Sequence, residues 1–131
     1  MRAYRFAREV WDVRLLADDQ GRCEAMDVIQ QLEEQGGRGM LALLRDRVPR
    51  LGPPTHNAAL SSHLEDGIWE FRKGSVRLFW FYDEGKIVVA TNAYKKQGQR
   101  APRRHIQSAK DFRAAYLAAK RAGTLTIEDI G

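Results

Sequence analysis

The chain has 131 residues, of which 44% are hydrophobic and 30% charged, and its formal net charge is +5. This composition excludes a mostly disordered chain and predicts one globular domain, and the charges near the N-terminus argue against a signal peptide, so we expect a cytoplasmic protein without a membrane segment. One cysteine and three scattered histidines match no disulfide or metal-ligand pattern, and no glycine-rich phosphate loop is present, so we expect no metal and no cofactor.

The first half of the chain predicts one strand followed by two helices. Apolar residues alternate over residues 4–11, which is typical of a strand buried on both faces. Apolar residues at helical spacing then cover 25–32 and 41–48, with Gly36 and Gly37 between them. These two segments predict a helical hairpin whose second helix ends before Pro49, followed by a rigid connector over residues 51–55.

The second half predicts a β-meander and a closing helix. Three β-rich runs cover residues 68–72, 76–82 and 86–94, and short glycine-bearing joints connect them as hairpins. Pro102 then begins a helix that ends at Gly123. We therefore expect an α+β fold with an N-terminal strand, a helical hairpin, an antiparallel three-stranded meander and a C-terminal helix packed on the sheet.

Positive charge is concentrated in the second half. Residues 66–131 contain thirteen Lys and Arg against seven Asp and Glu, whereas residues 1–65 contain nine against ten. Residues 95–113 alone contain seven cations and one anion, Asp111. Such a surface either simply faces water or binds a polyanion, and a phosphate backbone is the common polyanion of the cytosol.

Two arginines of the meander are candidates for phosphate binding. Strand alternation places Arg72 on the face opposite the neighbouring aromatic residues, and Arg77 projects from the next strand. With Lys95 and Lys96 they could line one basic hollow. The alternative is that each arginine forms a surface ion pair with a nearby carboxylate such as Glu70. Most aromatic residues of the meander are expected in the core, and one or two could stack on bases.

Three separated motifs carry a family resemblance. They are the run from Leu64 to Arg72, the strand from Arg77 to Tyr82, and the segment from Tyr94 to Pro102. In this order and spacing they resemble the HigB-like, phage-derived toxin family of the RelE/ParE toxin superfamily. The resemblance in layout covers residues 4–117. It implies a RelE-like toxin domain over residues 1–121 and a loosely held tail over residues 122–131.

The resemblance implies a toxin of a type II toxin–antitoxin pair that acts as a ribosome-dependent, metal-independent endoribonuclease of mRNA. Arg72 and Arg77 would bind the scissile phosphate, because a guanidinium stays protonated. The acid and the base remain open among Lys96, Tyr94 and His105, while the RNA-binding residues would be Lys95, Lys96, Arg100, Arg103 and Arg104. The implied partners are mRNA on the ribosome and a cognate helix-turn-helix antitoxin.

Two other functions stay open at this point. A protein of this topology could be a non-catalytic inhibitor of DNA gyrase, like the ParE branch of the same superfamily. It could also be a non-catalytic RNA-binding module, whose affinity for RNA would depend strongly on salt.

Overall fold

The computed structural model describes residues 1–130, in which seven strands and four α-helices follow one another. In chain order they are β1 (Arg2–Arg8), β2 (Asp12–Ala17), α1 (Glu24–Gln31), α2 (Gly37–Ala42), α3 (Val48–Leu51), β3 (Ser61–Glu65), β4 (Ile68–Lys73), β5 (Val76–Asp83), β6 (Ile87–Lys95), α4 (Arg103–Ala122) and β7 (Thr126–Asp129). A 3-10 turn at Glu33–Gln35 and a π-helical turn at Leu43–Arg47 connect the first three helices.

All seven strands form one mixed sheet in the order β3-β4-β5-β6-β2-β1-β7. The prediction of a three-stranded sheet was therefore wrong, although the meander itself is present as β4, β5 and β6. Both edges of this meander are extended, because β3 pairs with β4 and β2 pairs in parallel with β6. The meander is thus part of a larger sheet, and no edge of it faces water.

The N-terminal strand is shorter than predicted. β1 ends at Arg8, and the chain reverses over residues 9–11 into β2, every residue of which is buried. Apolar alternation does not reveal β2, because Asp12 and Arg14 interrupt it. Both side chains are nevertheless only 10% exposed, and their carboxylate and guanidinium lie 3.3 Å apart. Pairing allows these two charges to occupy a buried strand.

The C-terminal tail also differs from the expectation. Residues of the segment predicted to be loosely held form β7, which pairs in parallel with β1 at the edge of the sheet. All four residues of β7 are exposed. The tail is therefore bound through its backbone rather than through a packed apolar face. Gly131, the last residue of the predicted tail, lies outside the described residues.

The predicted helical hairpin was wrong, because a π-helical turn at Leu43–Arg47 divides its second helix into α2 and α3, so that three helices precede β3, whereas the predicted C-terminal helix is present. The second helical stretch continues past Pro49 to Leu51, since proline is tolerated in the first turn of α3. α4 begins after Pro102 and ends at Gly123, whose φ of +73° suits a glycine. None of the described helices combines the length and the apolar character that crossing a membrane requires.

The sheet lies between two layers of helix, each with its own hydrophobic cluster. On one face, the cluster formed with α1, α2 and the turns after them includes Ile29, Met40, Phe71 and Trp80. On the other face, α4 contributes Ile106 and Tyr116 to a cluster with Phe79 and Phe81. Alternation along β5 separates the two clusters, and Arg77 projects to the same face as Phe79.

Candidate functional site

The turn between β4 and β5 is held tightly against the helical layer. A Cβ atom built on Gly36 would lie 1.9 Å from a backbone oxygen at the end of β4, and Ser75 N donates to Gln35 O at 2.7 Å. Inside the same turn, Arg77 Nη1 donates to Gly74 O at 2.8 Å. The close approach at Gly36 therefore fixes the turn, and the turn orients the guanidinium of Arg77.

A buried carboxylate joins the two candidate arginines. Arg72 and Arg77 are direct partners across the antiparallel pair of β4 and β5, so both project to the α4 face. Glu70, which is only 4% exposed, accepts from Arg72 Nε at 3.1 Å and lies 3.9 Å from Arg77 Nε. Tyr94 of β6 donates its hydroxyl to the second oxygen of Glu70 at 3.1 Å. We call these four residues the open cluster.

Each guanidinium of the open cluster has one terminal nitrogen that makes no hydrogen bond within residues 1–130. Arg72 Nη1 donates to Ala58 O at 2.9 Å, and Arg77 Nη1 donates to Gly74 O and to Val76 O. Neither Nη2 makes a hydrogen bond to any part of residues 1–130. Two positively charged donors on neighbouring strands are thus oriented by the protein and left unused, which is the arrangement that a phosphate oxygen requires.

The open cluster lines a cavity of about 490 Å³. The strands supply its floor, β3 and the start of α4 supply its wall, and the loop of residues 96–101 supplies its rim. The wall includes Leu64, Glu65, Arg103 and Ile106, and the rim includes Lys96, Gln99, Arg100 and Ala101. The cavity falls in the size range of small-molecule pockets, so it can hold a single nucleotide unit but not a duplex.

The family-model comparison places the chain among known proteins. The family described as "Phage derived protein Gp49-like (DUF891)" matches residues 27–114, more than half of the chain. The chain belongs to the Gp49-like family. That family is associated with RelE-like toxins of toxin–antitoxin pairs, which indicates an antitoxin as a partner. The matched segment contains every residue of the cavity. A search of curated proteins found no match.

Two of the predicted acid or base residues of this Gp49-like protein form a stack. The rings of Tyr94 and His105 lie 4.8 Å apart with an interplanar angle of 12°. Burial, and then the Glu70 carboxylate, raise the pKa of Tyr94 well above its usual range. Burial, and then Arg104, lower the pKa of His105. Tyr94 lines the cavity, and its neutral hydroxyl donates a hydrogen bond to Glu70. His105 does not line the cavity.

The predicted RNA-binding cations of the Gp49-like protein divide into three groups. Lys96 and Arg100 line the cavity and make no hydrogen bond or ion pair through their side chains within residues 1–130. Arg103 also lines it, but both terminal nitrogens of its guanidinium bind the carboxylate of Glu65. Lys95 and Arg104 are exposed and do not line it. The structure therefore brings together Arg72, Arg77, Tyr94, Lys96, Arg100 and Arg103, but not Lys95, Arg104 or His105.

Two carboxylates have a larger part in the site than the sequence indicates. Glu70 contacts both arginines and Tyr94. Its contact with Arg72 could have been predicted from the sequence, because residues two apart on a strand share a face. Glu65 fixes Arg103 and Lys110 of α4, and these two partners lower the pKa of Glu65 to about 2. Its role depends on β3, which the apolar pattern of the sequence does not predict. No three potential ligand side chains gather as a metal site within residues 1–130.

Proposed function

We propose that this protein is a HigB-like toxin of a type II toxin–antitoxin pair that cleaves mRNA on the ribosome as a metal-independent endoribonuclease. The observation that carries the proposal is the pair of unused Nη2 donors of Arg72 and Arg77, held by Glu70 at the floor of a cavity of nucleotide size. Membership in the Gp49-like family supports a toxin, and the cavity supports RNA as its target.

In the proposed reaction, the ribose 2′-OH attacks the adjacent phosphorus atom. A P–O bond to the 2′-oxygen forms, the bond to the 5′-oxygen of the next nucleotide breaks, and the products are a 2′,3′-cyclic phosphate and a free 5′-OH. The 2′-OH loses a proton, and the leaving 5′-oxygen gains one. The phosphorane carries additional negative charge, which Arg72 and Arg77 stabilise through their Nη2 groups. Because both guanidiniums are oriented before substrate binds, little reorganisation is needed in the transition state.

The three candidates for proton transfer differ in their position, which supports one of them. His105 lies behind Tyr94 and does not line the cavity. Tyr94 lines the cavity, but its hydroxyl donates its hydrogen bond to Glu70 and its pKa is raised. Tyr94 is therefore a poor acid at neutral pH. Lys96 lines the cavity, and its ammonium makes no hydrogen bond or ion pair within residues 1–130. We therefore assign to Lys96 the protonation of the leaving 5′-oxygen, with Arg100 binding the RNA backbone.

The antitoxin of the proposed pair would be a helix-turn-helix protein that covers the cavity with an acidic segment. Lys96 and Arg100 are exposed at the rim and would pair with its carboxylates. Its binding would keep mRNA from the Arg72 and Arg77 donors.

The test is to map mRNA 5′ ends in cells that express the chain or its Arg72→Ala or Arg77→Ala variant, and to repeat the cleavage with purified ribosomes. Loss of one charge-stabilising donor should reduce cleavage by about 100-fold or more. Arg121→Ala, an exposed change at the far end of α4, should cleave like the unaltered protein. The proposal would be overturned if both cavity variants stay folded and still cleave mRNA. It would also be overturned if expression stops DNA supercoiling and produces no new mRNA ends, which is the result expected of a gyrase inhibitor.

A further inference from the structure

A second groove lies on the other face of the sheet. It has a volume of about 400 Å³ and is formed where the connector after α3 passes the start of β2 and the end of β5. Tyr82 alternates with Phe81 along β5, so it projects away from the open cluster and packs edge-on against Trp80. Within residues 1–130, no residue lines both this groove and the cavity. We call it the aromatic groove, and its walls include Trp11, Arg47, Leu51, Pro53, Pro54 and Tyr82.

Two aromatic side chains present unused hydrogen-bond donors to the aromatic groove. Trp11 Nε1 makes no hydrogen bond within residues 1–130 and keeps contact with solvent. A Cβ atom on Gly52 would lie 2.8 Å from this nitrogen, so the glycine leaves the donor uncovered. The hydroxyl of Tyr82, a residue that is 43% exposed, also makes no hydrogen bond in the described part of the chain. Burial of the ring raises the pKa of Tyr82, so the hydroxyl stays a donor at neutral pH.

The rest of the aromatic groove is mainly apolar and carries one permanent positive charge. Leu51 is 66% exposed at its edge, and Pro53 is half-buried in its wall. Arg47 is exposed, and its side chain makes no hydrogen bond or ion pair within residues 1–130. No carboxylate of these residues lines the groove. A complementary ligand is therefore apolar, rich in hydrogen-bond acceptors and negatively charged at one point.

An extended proline-rich peptide has these properties. A polyproline II helix forms no internal hydrogen bonds, so its carbonyl oxygens are free to accept, and proline has no N–H group that would be left unpaired. Its rings pack well in grooves lined by aromatic side chains, and its conformation exists before binding. An unpaired RNA base fits less well, because the rings of Trp11 and Tyr82 are tilted by 51° with centroids 6.0 Å apart and form no pair of parallel plates. One cation also matches a single carboxylate better than a run of phosphates.

We infer that the aromatic groove is a docking site for a protein partner that inserts an extended proline-rich segment, with an acidic residue of that segment beside Arg47. Carbonyl oxygens of the segment accept from Trp11 Nε1 and from the Tyr82 hydroxyl, and its proline rings lie against the aromatic side chains and Leu51. This interaction goes beyond the proposed nuclease and does not rest on it. The partner can dock while the cavity is occupied, because the two sites share no lining residue.

The experiment measures the binding of short labelled peptides to the full chain by fluorescence anisotropy. The probe is a proline peptide that contains one glutamate. One comparison peptide has lysine in place of the glutamate, and another has glycine and serine in place of the prolines. The probe should bind about tenfold or more tightly than either, because the first comparison peptide brings a like charge to Arg47 and the second must be ordered on binding.

Two exposed substitutions then locate the binding site. Tyr82→Phe keeps the ring and removes the hydroxyl, so it should weaken binding of the probe by about threefold to tenfold. Arg47→Glu should reverse the preference, so that the lysine peptide binds more tightly than the glutamate peptide. Arg50→Glu is the matched control, since this exposed arginine of α3 does not line the groove and the preference should stay as it is.

Several results would overturn the inference. They are no binding of the probe at about 1 mM, equal binding of the proline and glycine–serine peptides, and a reversal by Arg50→Glu as complete as that by Arg47→Glu. Displacement of the probe by a single-stranded oligonucleotide would also overturn it and would assign the groove to RNA. The outcome is independent of the nuclease: mRNA cleavage without peptide binding leaves only the nuclease standing, and peptide binding without cleavage leaves only the docking site.

Discussion

Two clusters of the same three chemical groups lie on the α4 face of the sheet. The open cluster combines a tyrosine, a carboxylate and arginines, and so does a second group at the other end of β5, formed by Arg14, Asp83 and Tyr116. In this second group, which we call the closed cluster, Tyr116 accepts from Arg14 Nη1 at 2.8 Å and donates to Asp83 at 2.6 Å. The two clusters therefore differ in their surroundings rather than in their composition.

The difference is whether an unused arginine donor lines a cavity, since Arg14 also has one, its Nε, but that atom is buried. In the closed cluster Tyr116 is fully buried, and Arg14 uses both terminal nitrogens, the second one on Asp12. In the open cluster Arg72 and Arg77 each keep an unused Nη2 at the floor of a cavity. Residue types alone thus do not mark a functional site. Charged donors that the fold orients, leaves unused and presents to a cavity are the better indicator.

The largest expected effect comes from the glycine that holds the turn of the open cluster. Gly36→Ala places a Cβ 1.9 Å from Lys73 O at a φ of +121°, so backbone must move. We expect a loss of about 3 kcal/mol or more in the free energy of unfolding, measured by urea denaturation. Gly39→Ala is the control, because its nearest contact is the flexible Lys73 side chain at 3.3 Å and alanine favours a helix. Equal stability of the two variants would contradict this role of Gly36.

The two tyrosines provide the next comparison. Tyr116→Phe leaves Arg14 Nη1 and Asp83 Oδ2 without a partner in a buried site, so the free energy of unfolding should fall by about 1–3 kcal/mol. Tyr94→Phe removes one donor from Glu70, which keeps its contacts with two arginines, so the loss should be nearer to about 1 kcal/mol. Urea denaturation of both variants measures the difference. A larger loss for Tyr94→Phe would show that the open cluster is the more important one for stability.

The smallest expected effect is a pH dependence of stability that comes from His105. Its pKa is lowered in the folded chain from an ordinary value of 6.5, so the unfolded chain binds the proton more readily. Stability from this residue is complete above about pH 6.5 and is lost as the pH falls below that value through the lower pKa of the folded chain. We expect a lower urea midpoint at pH 5 than at pH 7, and a smaller difference for His105→Phe, which keeps a ring against Tyr94. An unchanged difference in the variant would exclude His105 as its source.

The sequence predicts the strands that carry a regular apolar pattern and misses those that lack one, even where they form a short hairpin, as β2 does with β1 and β3 does with β4. Strands β4, β5 and β6 are joined by short turns, so their alternation and their glycines suffice to predict them. In contrast, β2 and β7 pair in parallel with strands distant in sequence, and β7 has no buried residue. Neither the pairing nor the burial of Asp12 and Arg14 is visible in a pattern of apolar residues.

The site is predictable to a similar extent. Alternation correctly places Arg72 and Arg77 on one face, because a strand face follows from sequence spacing alone. The partner of Arg103 is not predictable in this way, since Glu65 belongs to a strand that the pattern does not reveal. His105 is a candidate by residue type, yet stacking against Tyr94 directs it away from the cavity lining.

The most direct test compares one conservative change in each cluster, Arg77→Lys and Arg14→Lys. A lysine keeps the positive charge but cannot replace the fork of donors of a guanidinium. Cleavage of ribosome-bound mRNA is measured per folded molecule, with the folded fraction taken from urea denaturation of the same sample. We predict that Arg77→Lys loses about 100-fold or more of its cleavage, while Arg14→Lys is the less stable variant and cleaves like the unaltered protein. Full cleavage by folded Arg77→Lys would contradict the role of the unused guanidinium donors.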